Sequence, residues 1–277
     1  MKNISFALLT ISFLLLLPSV GYSQIKIEAA KAKKNYNTDF IVSPMDDGVS
    51  FSKNTLTLAP KNEGVTYTLT GYFKGQVVNK TKNTIIKLDN AYIENSMGDP
   101  AIYGFLKTEI STVNGTENYV VSYGKNKNEK KTASIQSKKG LELGGSGTLY
   151  VYGLVNHGVK ADGVKMKGSG KFYFQGAKDG AALNCERFSV EQDKTFYAYF
   201  INSKNGLKAD TTIDVLSGNF YFYDNETAIK TDLKKDSPEE EHHIFLDGGI
   251  FHFERNKKNC ETEDGFYKAD GAKFPND

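Results

Sequence analysis

The chain has 277 residues, with 35 basic against 33 acidic side chains, a net charge of +2, and only two arginines, Arg187 and Arg255. So even a balance gives no field to steer nucleic acid or an acidic membrane, and so few arginines argue against phosphate recognition. Tyr (16) and Phe (18) are abundant, Trp is absent, and two cysteines, Cys185 and Cys260, are too few for a disulfide scaffold.

Residues 1–23 read as a secretory leader. Lys2 is the charged start, Phe6 to Leu17 the apolar stretch, and Gly21-Tyr22-Ser23 the small-residue cleavage region. About a dozen apolar residues are too few to span a bilayer. Cleavage after Ser23 would leave a secreted or periplasmic protein, and no later segment is apolar enough to cross a membrane. Residues 24–70 read as an N-terminal cap with the first strands. Within them 25–38 is the one plausible helix, placed to cover an open sheet edge.

Residues 71–277 carry a repeat. A short aromatic strand recurs as Thr148–Tyr152, Lys171–Gln175, Thr195–Tyr199, Asn219–Tyr223 and Gly249–Phe253, at spacings of 23, 24, 24 and 30 residues. A fixed period of this size marks a repeat architecture. Upstream of each lies a second set, Leu141-Glu142-Leu143, Val164-Lys165-Met166, Phe188-Ser189-Val190, Ile213-Asp214-Val215 and Ile244-Phe245-Leu246. A third set precedes that: Ile135-Gln136, Val159-Lys160, Ala181-Ala182, Leu207-Lys208 and Ile229-Lys230. Three short strands in about 23 residues are too little for a propeller blade and fit one coil of a parallel β-helix, right-handed by the crossover rule. The expected fold is therefore all-β, a single-stranded right-handed parallel β-helix. Residues 125–131 and 232–243 are expected as solvated bulges, and 255–277 as a last partial coil and tail.

Side chains on a strand alternate faces. Leu149, Phe172, Phe196, Phe220 and Ile250 form one expected core column, and Val151, Phe174, Ala198, Phe222 and His252 a second. The outward columns then hold Tyr150, Tyr173, Tyr197, Tyr221 and Phe251, with Tyr152, Gln175, Tyr199, Tyr223 and Phe253 beside them. Such a ladder has two readings. It could dock the apolar faces of sugar rings while its hydroxyls take hydrogen bonds. It could equally be sheet packing by residues of high β-propensity.

Asp162, Asn184, Asp210 and Asp232 fall at equivalent points after the third set, with Asp179 and Asp264 one turn earlier. Stacked Asx residues can cap turns, or adjacent carboxylates can bind Ca²⁺, which needs six to eight oxygens. Lys160, Lys208 and Lys230 make an outward basic stripe, broken by Ala182, that could pair with uronates or simply face solvent. Cys185 and Cys260 lie about three repeats apart, as a disulfide or as two thiols. His242-His243 sit in an acidic loop. No spacing forces a carboxylate pair or a base together for catalysis.

An ordered series of motifs carries a resemblance. Thr84–Ile93 with Pro100–Tyr103, then Asn114–Asn118, Gly144–Leu149, Asn156–Asp162 and Lys178–Gly180, is similar to a secreted carbohydrate-binding β-helix family over residues 48–232. The founding member of that family binds cellulose and acidic sugars and resembles pectate lyases in fold. The resemblance implies a right-handed parallel β-helix, a cellulose-like or acidic polysaccharide as partner, Ca²⁺, and no demonstrated catalysis. The chain departs from the family's repeated Asp-Asp-Gly at Lys178, His157 and Thr227-Ala228. The expectation is a secreted, non-catalytic polysaccharide-binding protein, with a calcium-dependent lyase and a surface or matrix protein as alternatives. Its site would comprise Tyr150, Tyr152, Tyr173, Tyr197, Tyr199, Tyr221, Tyr223, Lys160 and Lys208, with metal at Asp162, Asp179, Asp210 and Asp232.

Overall fold

The computed structural model describes residues 39–124, 132–232, 243–262, 266–268 and 270–275. The expected leader, the helix over 25–38, the bulge over 125–131, nearly all of that over 232–243, His242 and Asp264 lie outside the described residues. Every described element is a strand, twenty-two in all. Apart from two antiparallel pairings near the N-terminus, β1 (Ile41–Ser43) with β4 (Thr66–Lys74) and β2 (Val49–Ser52) with β3 (Thr55–Leu58), the strands pair in parallel.

The parallel pairings form three ladders. The first joins β3, β5 (Gln76–Asn79), β7 (Ile102–Gly104), the starts of β10 (Ala133–Gly145), β12 (His157–Met166), β14 (Ala181–Val190) and β16 (Asn205–Val215), then β18 (Thr227–Thr231) and β21 (Lys258–Thr262). The second runs from the starts of β4 and β6 (Thr84–Asn95) through β8 (Thr108–Thr112) and the ends of β10, β12, β14 and β16. It finishes at β19 (His243–Leu246) and β22 (Phe266–Lys268). The third takes the ends of β4 and β6, then β9 (Glu117–Ser122), β11 (Thr148–Gly153), β13 (Lys171–Gln175), β15 (Tyr197–Ile201), β17 (Asn219–Tyr223) and β20 (Ile250–Glu254). The expected turn between the upstream sets is thus a bend inside one long strand. Register shifts mark it at Ser137/Gly140 in β10 and Cys185/Arg187 in β14.

The core is the line of inward columns. Leu149, Phe172, Ala198, Phe220 and Phe251 pair in order and are all buried. Val151, Phe174, Phe200, Phe222 and Phe253 follow beside them. Two expectations fail here. The third aromatic strand pairs two residues later than the repeat suggests, so Ala198 and Phe200 take the core places and Phe196 packs, buried, just ahead of β15. The last strand pairs one residue later. A slip of one exchanges the two faces of a strand, so Phe251 and Phe253 turn inward and His252 turns outward.

Buried asparagines are paired. Asn118 sits in an inward position, where its carbonyl accepts from Ala91 N at 3.0 Å and its amide donates to Thr116 Oγ1 at 2.9 Å. At the turn leading into the first ladder, Asn225 donates to Phe200 O at 2.9 Å and Asn256 to Phe222 O at 2.9 Å. No disulfide joins Cys185 to Cys260. Cys185 lies on β14 and Cys260 on β21, three rungs further along the same ladder, or about 14 Å at the spacing of paired strands. That exceeds the reach of a disulfide.

On the outer face of the second ladder, Glu109 and Glu142 occupy adjacent rungs. Lys167 bridges them at 2.8 and 2.6 Å, and Lys107 adds a contact to Glu142 at 2.6 Å. Burial alone would raise the Glu142 carboxyl, but the hydrogen bonds from Lys107 and Lys167 bring it down from 4.5 to about 2. A depressed carboxyl stabilises the fold above its unfolded value and loses that contribution as pH falls toward the folded one. The melting temperature should therefore drop between about pH 5 and pH 2, and Glu142→Gln should flatten that drop. A wild-type-like acid profile in the variant would remove the network from the account.

Candidate functional site

The expected tyrosine ladder exists and is longer than the repeat reveals. Tyr72, Tyr92, Tyr119, Tyr150, Tyr173, Tyr199, Tyr221 and His252 pair rung by rung on the outer face of the third ladder. Their rings stack. Centroids are 4.6 Å apart from Tyr119 to Tyr150, 4.7 Å to Tyr173, 4.4 Å to Tyr199, 4.7 Å to Tyr221 and 4.4 Å to His252, all within 16° of parallel. Tyr197 stands outside the row, 38% exposed, with its ring 6.5 Å from Tyr221. Tyr152 and Tyr223 share the neighbouring column but are separated there by Gln175 and Ile201. Tyr72, Tyr92 and Tyr119 lack the double-aromatic signature of the later strands. Only the shorter pattern Tyr-Phe, Tyr-Ile and Tyr-Val hints at them.

Stacking decides what the row can do. A sugar docks on the open face of a ring. At separations of 4.4–4.7 Å each interior ring covers the next, and nothing fits between them. The row therefore presents ring edges and hydroxyls. Burial raises the pKa of Tyr173, Tyr199 and Tyr221, and that of Tyr223 to about 12.

A concave surface lies instead on the first ladder. Its outward column runs Thr57, Val78, Tyr103, Gln136, Lys160, Asn184, Lys208, Lys230 and Glu261. Over the first five rungs a groove of about 750 Å³ opens, lined among others by Thr55, Gln76, Tyr103, Phe105, Gln136 and Lys160. Phe105 and Tyr103 meet edge to face at 4.9 Å and 82°, and Phe105 stays 41% exposed. Lys138 holds its ammonium 5.1 Å from the Phe105 ring centre, a cation–π distance. The carbonyl oxygen of Gln136 is buried with no hydrogen-bond partner. The groove continues past Phe105 and Lys160 into a smaller part of about 370 Å³ that reaches Lys139, Asp162, Glu186 and Asp210. Of the expected site residues, only Lys160, Asp162 and Asp210 lie here.

Asn184 is not in the turn column. It pairs with Lys160 and Lys208, so Asn184 breaks the lysine stripe, while Ala182 is buried. The residues that follow the paired Ala161, Cys185, Ala209 and Thr231 are Asp162, Glu186, Asp210 and Asp232. Glu186 was hidden because the spacing from Asp162 is 24 residues rather than 22. Asp232 is held by Lys208 and, at 3.0 Å, by Lys230. Those lysines hydrogen-bond it and bring its carboxyl down against the opposing effect of burial. Lys208 also lies 3.8 Å from Asp210, and Lys230 lies 3.2 Å from Glu261. Asp179 is exposed on the separate turn before β14. These four aspartates do not converge on one point, and Asp232 is committed to ammonium partners, so the donor set does not fit Ca²⁺. Among the described residues no group of three or more His, Cys, Asp or Glu could hold a metal ion.

The architecture has a solved counterpart. The chain is similar to a polysaccharide lyase-like protein from C. thermocellum, solved as a gadolinium derivative, with a TM-score of 0.54 and 18% identity over 83% of this chain and 91% of that one. At that identity the likeness shows the fold alone. No curated protein matches the chain. No helix among the described residues is long and apolar enough to cross a membrane. A family model matches residues 52–273, which takes in the groove, the tyrosine row and nearly every rung of the three ladders. By that match the chain belongs to the family of carbohydrate-binding domain-containing proteins.

Proposed function

We propose that the protein is a secreted, non-catalytic polysaccharide-binding protein. Its glycan lies in the first-ladder groove, along the axis of a right-handed coil with three strands per turn. The observation that carries this reading is the groove itself, an elongated concavity that joins an exposed aromatic ring to amides, hydroxyls and ammonium groups. A volume of about 750 Å³ falls within the usual range for ligand sites. Phe105 offers the apolar surface. Gln76, Gln136 and Thr57 offer hydrogen bonds, and Lys160 would meet the carboxylate of an acidic sugar. A sugar hydroxyl reaching Gln136, after rotation of its terminal amide, would relieve the cost of its unpartnered carbonyl. The tyrosine row, with its ring faces closed, serves as a rigid spine whose hydroxyl edge is a secondary contact. The leader-like residues 1–23 support export.

The test is retention on a panel of insoluble and acidic polysaccharides, with and without EDTA. Phe105→Ala should weaken binding at least about tenfold, or about 1.4 kcal/mol. Lys160→Ala should weaken binding to acidic glycans selectively. Tyr173→Phe and Tyr199→Phe should leave binding near wild type. If the tyrosine changes abolish binding and the groove changes do not, the site belongs on the tyrosine face. If no glycan is retained, the reading fails. EDTA sensitivity would return a cation to the site.

A further inference from the structure

The tyrosine row brings phenol rings into a geometry that glycan binding does not use. Tyr173 and Tyr199 lie 4.4 Å apart and 5° from parallel, the closest approach of two phenols in the row. Neighbouring pairs at 4.6–4.7 Å extend the contact through Tyr150 and Tyr119 on one side and Tyr221 on the other. Parallel strand pairing holds these rings, so their positions follow from the backbone register. Tyr197 is the most exposed phenol of this surface, and its ring centre lies 6.5 Å from that of Tyr221.

We propose that this row is a site of oxidative tyrosine coupling, in which a one-electron oxidant enters at Tyr197 and a carbon–carbon bond forms between Tyr173 and Tyr199. The oxidant class is hydrogen peroxide with a haem peroxidase. Each of two phenols loses one electron and its hydroxyl proton and becomes a phenoxyl radical. Radical character passes along the stack by exchange with neighbouring phenols. Two adjacent radicals join at their ortho carbons. Each joined ring then releases its ortho hydrogen as a proton and regains a hydroxyl proton. Overall two tyrosines and one H₂O₂ give one dityrosine and two waters. Burial disfavours the phenolate of Tyr173 and Tyr199, so oxidation there moves electron and proton together. The new bond would tie β13 to β15, two strands otherwise joined by backbone hydrogen bonds and packing.

The experiment treats dilute full-length protein with peroxidase and H₂O₂, isolates the monomer, and maps its tryptic peptides. The expected product is the peptide Phe172–Lys178 joined to Thr195–Lys204, lighter by two hydrogen atoms than their sum, with dityrosine emission. Fragmentation should place the bond on Tyr199 rather than Tyr197. Tyr199→Phe, which keeps the ring, should abolish this cross-link. Tyr197→Phe should slow it without removing the product. Thermal melts of both variants, close to wild type, keep a loss of coupling from being read as misfolding. In denaturant the preference for this pair should vanish. Coupling confined to dimers, coupling at unstacked tyrosines such as Tyr103, or no coupling under conditions that join free tyrosine would each overturn the proposal. None of these outcomes depends on glycan binding.

Discussion

Phe222→Ala should cost about 4 kcal/mol of stability, the largest loss expected from a single truncation in this chain. Phe222 is fully buried. Its ring stacks on Phe200 at 4.8 Å and 10° and on Phe253 at 5.4 Å and 19°. Removing it deletes the ring between Phe200 and Phe253 in a column whose flanking strands are fixed by their own hydrogen bonds, so the gap cannot close by collapse. The lost transfer free energy and the remaining cavity then add. Urea unfolding should show a lower midpoint with an unchanged slope. As a comparison, Tyr199→Phe keeps its ring and should stay within about 1 kcal/mol of wild type. A Phe222→Ala loss below about 1 kcal/mol would mean that this column does not carry the core.

Gly145→Ala should cost at least about 3 kcal/mol, by a different cause. Gly145 closes β10 at φ +99°, a conformation that side chains avoid. An added Cβ would lie 2.3 Å from both the nitrogen and the carbonyl oxygen of Thr112, where only backbone movement makes room. The carbonyl of Gly145 also accepts from Ser169 N and Gly170 N at 3.0 Å, so movement there spreads to the next rung. Gly115 supplies the matched control. It too has positive φ, at +74°, but nothing lies within 4 Å of its would-be Cβ. Gly115→Ala should cost only the conformational share, about 1 kcal/mol. Equal losses at the two positions would show that crowding at Thr112 is absent.

Much of the architecture was legible because a period near 23 residues and alternation by two are strong signals. The columns through Leu149, Phe172, Phe220 and Phe222 follow from them directly. What the sequence obscured was register. Around β15 both Thr195–Tyr199 and Tyr197–Ile201 alternate correctly, so a slip of two leaves the faces unchanged and no local pattern resolves it. Burial of Phe200 decides the matter. At β20 the slip is one, and Phe251-His252-Phe253 could face either way by hydrophobicity alone; the stacking of His252 on Tyr221 fixes the choice. The same ambiguity placed Asn184 among the turn residues and left Glu186 unseen. The groove was illegible for another reason. Tyr103, Gln136 and Lys160 become neighbours only through pairing between strands whose sequence separations differ, 33 and then 24 residues. The closure of the ring faces could not be read either, since it depends on side-chain orientation and not on which side of the sheet each tyrosine occupies.

The ladders set how disturbance travels through the molecule. Among the described residues, β16 pairs only with β14 on one side and with β18 and β19 on the other. Each rung therefore depends on its immediate neighbours, and stability behaves as a chain of local couplings. Opening should begin at the terminal rung around Lys258–Thr262 and progress inward, so amide hydrogen exchange should form a gradient that rises in protection toward β12 and β14. Folding could start at any interior rung and spread both ways. A lesion such as Phe222→Ala would then lower exchange protection most at β15 and β20, the rungs on either side of it.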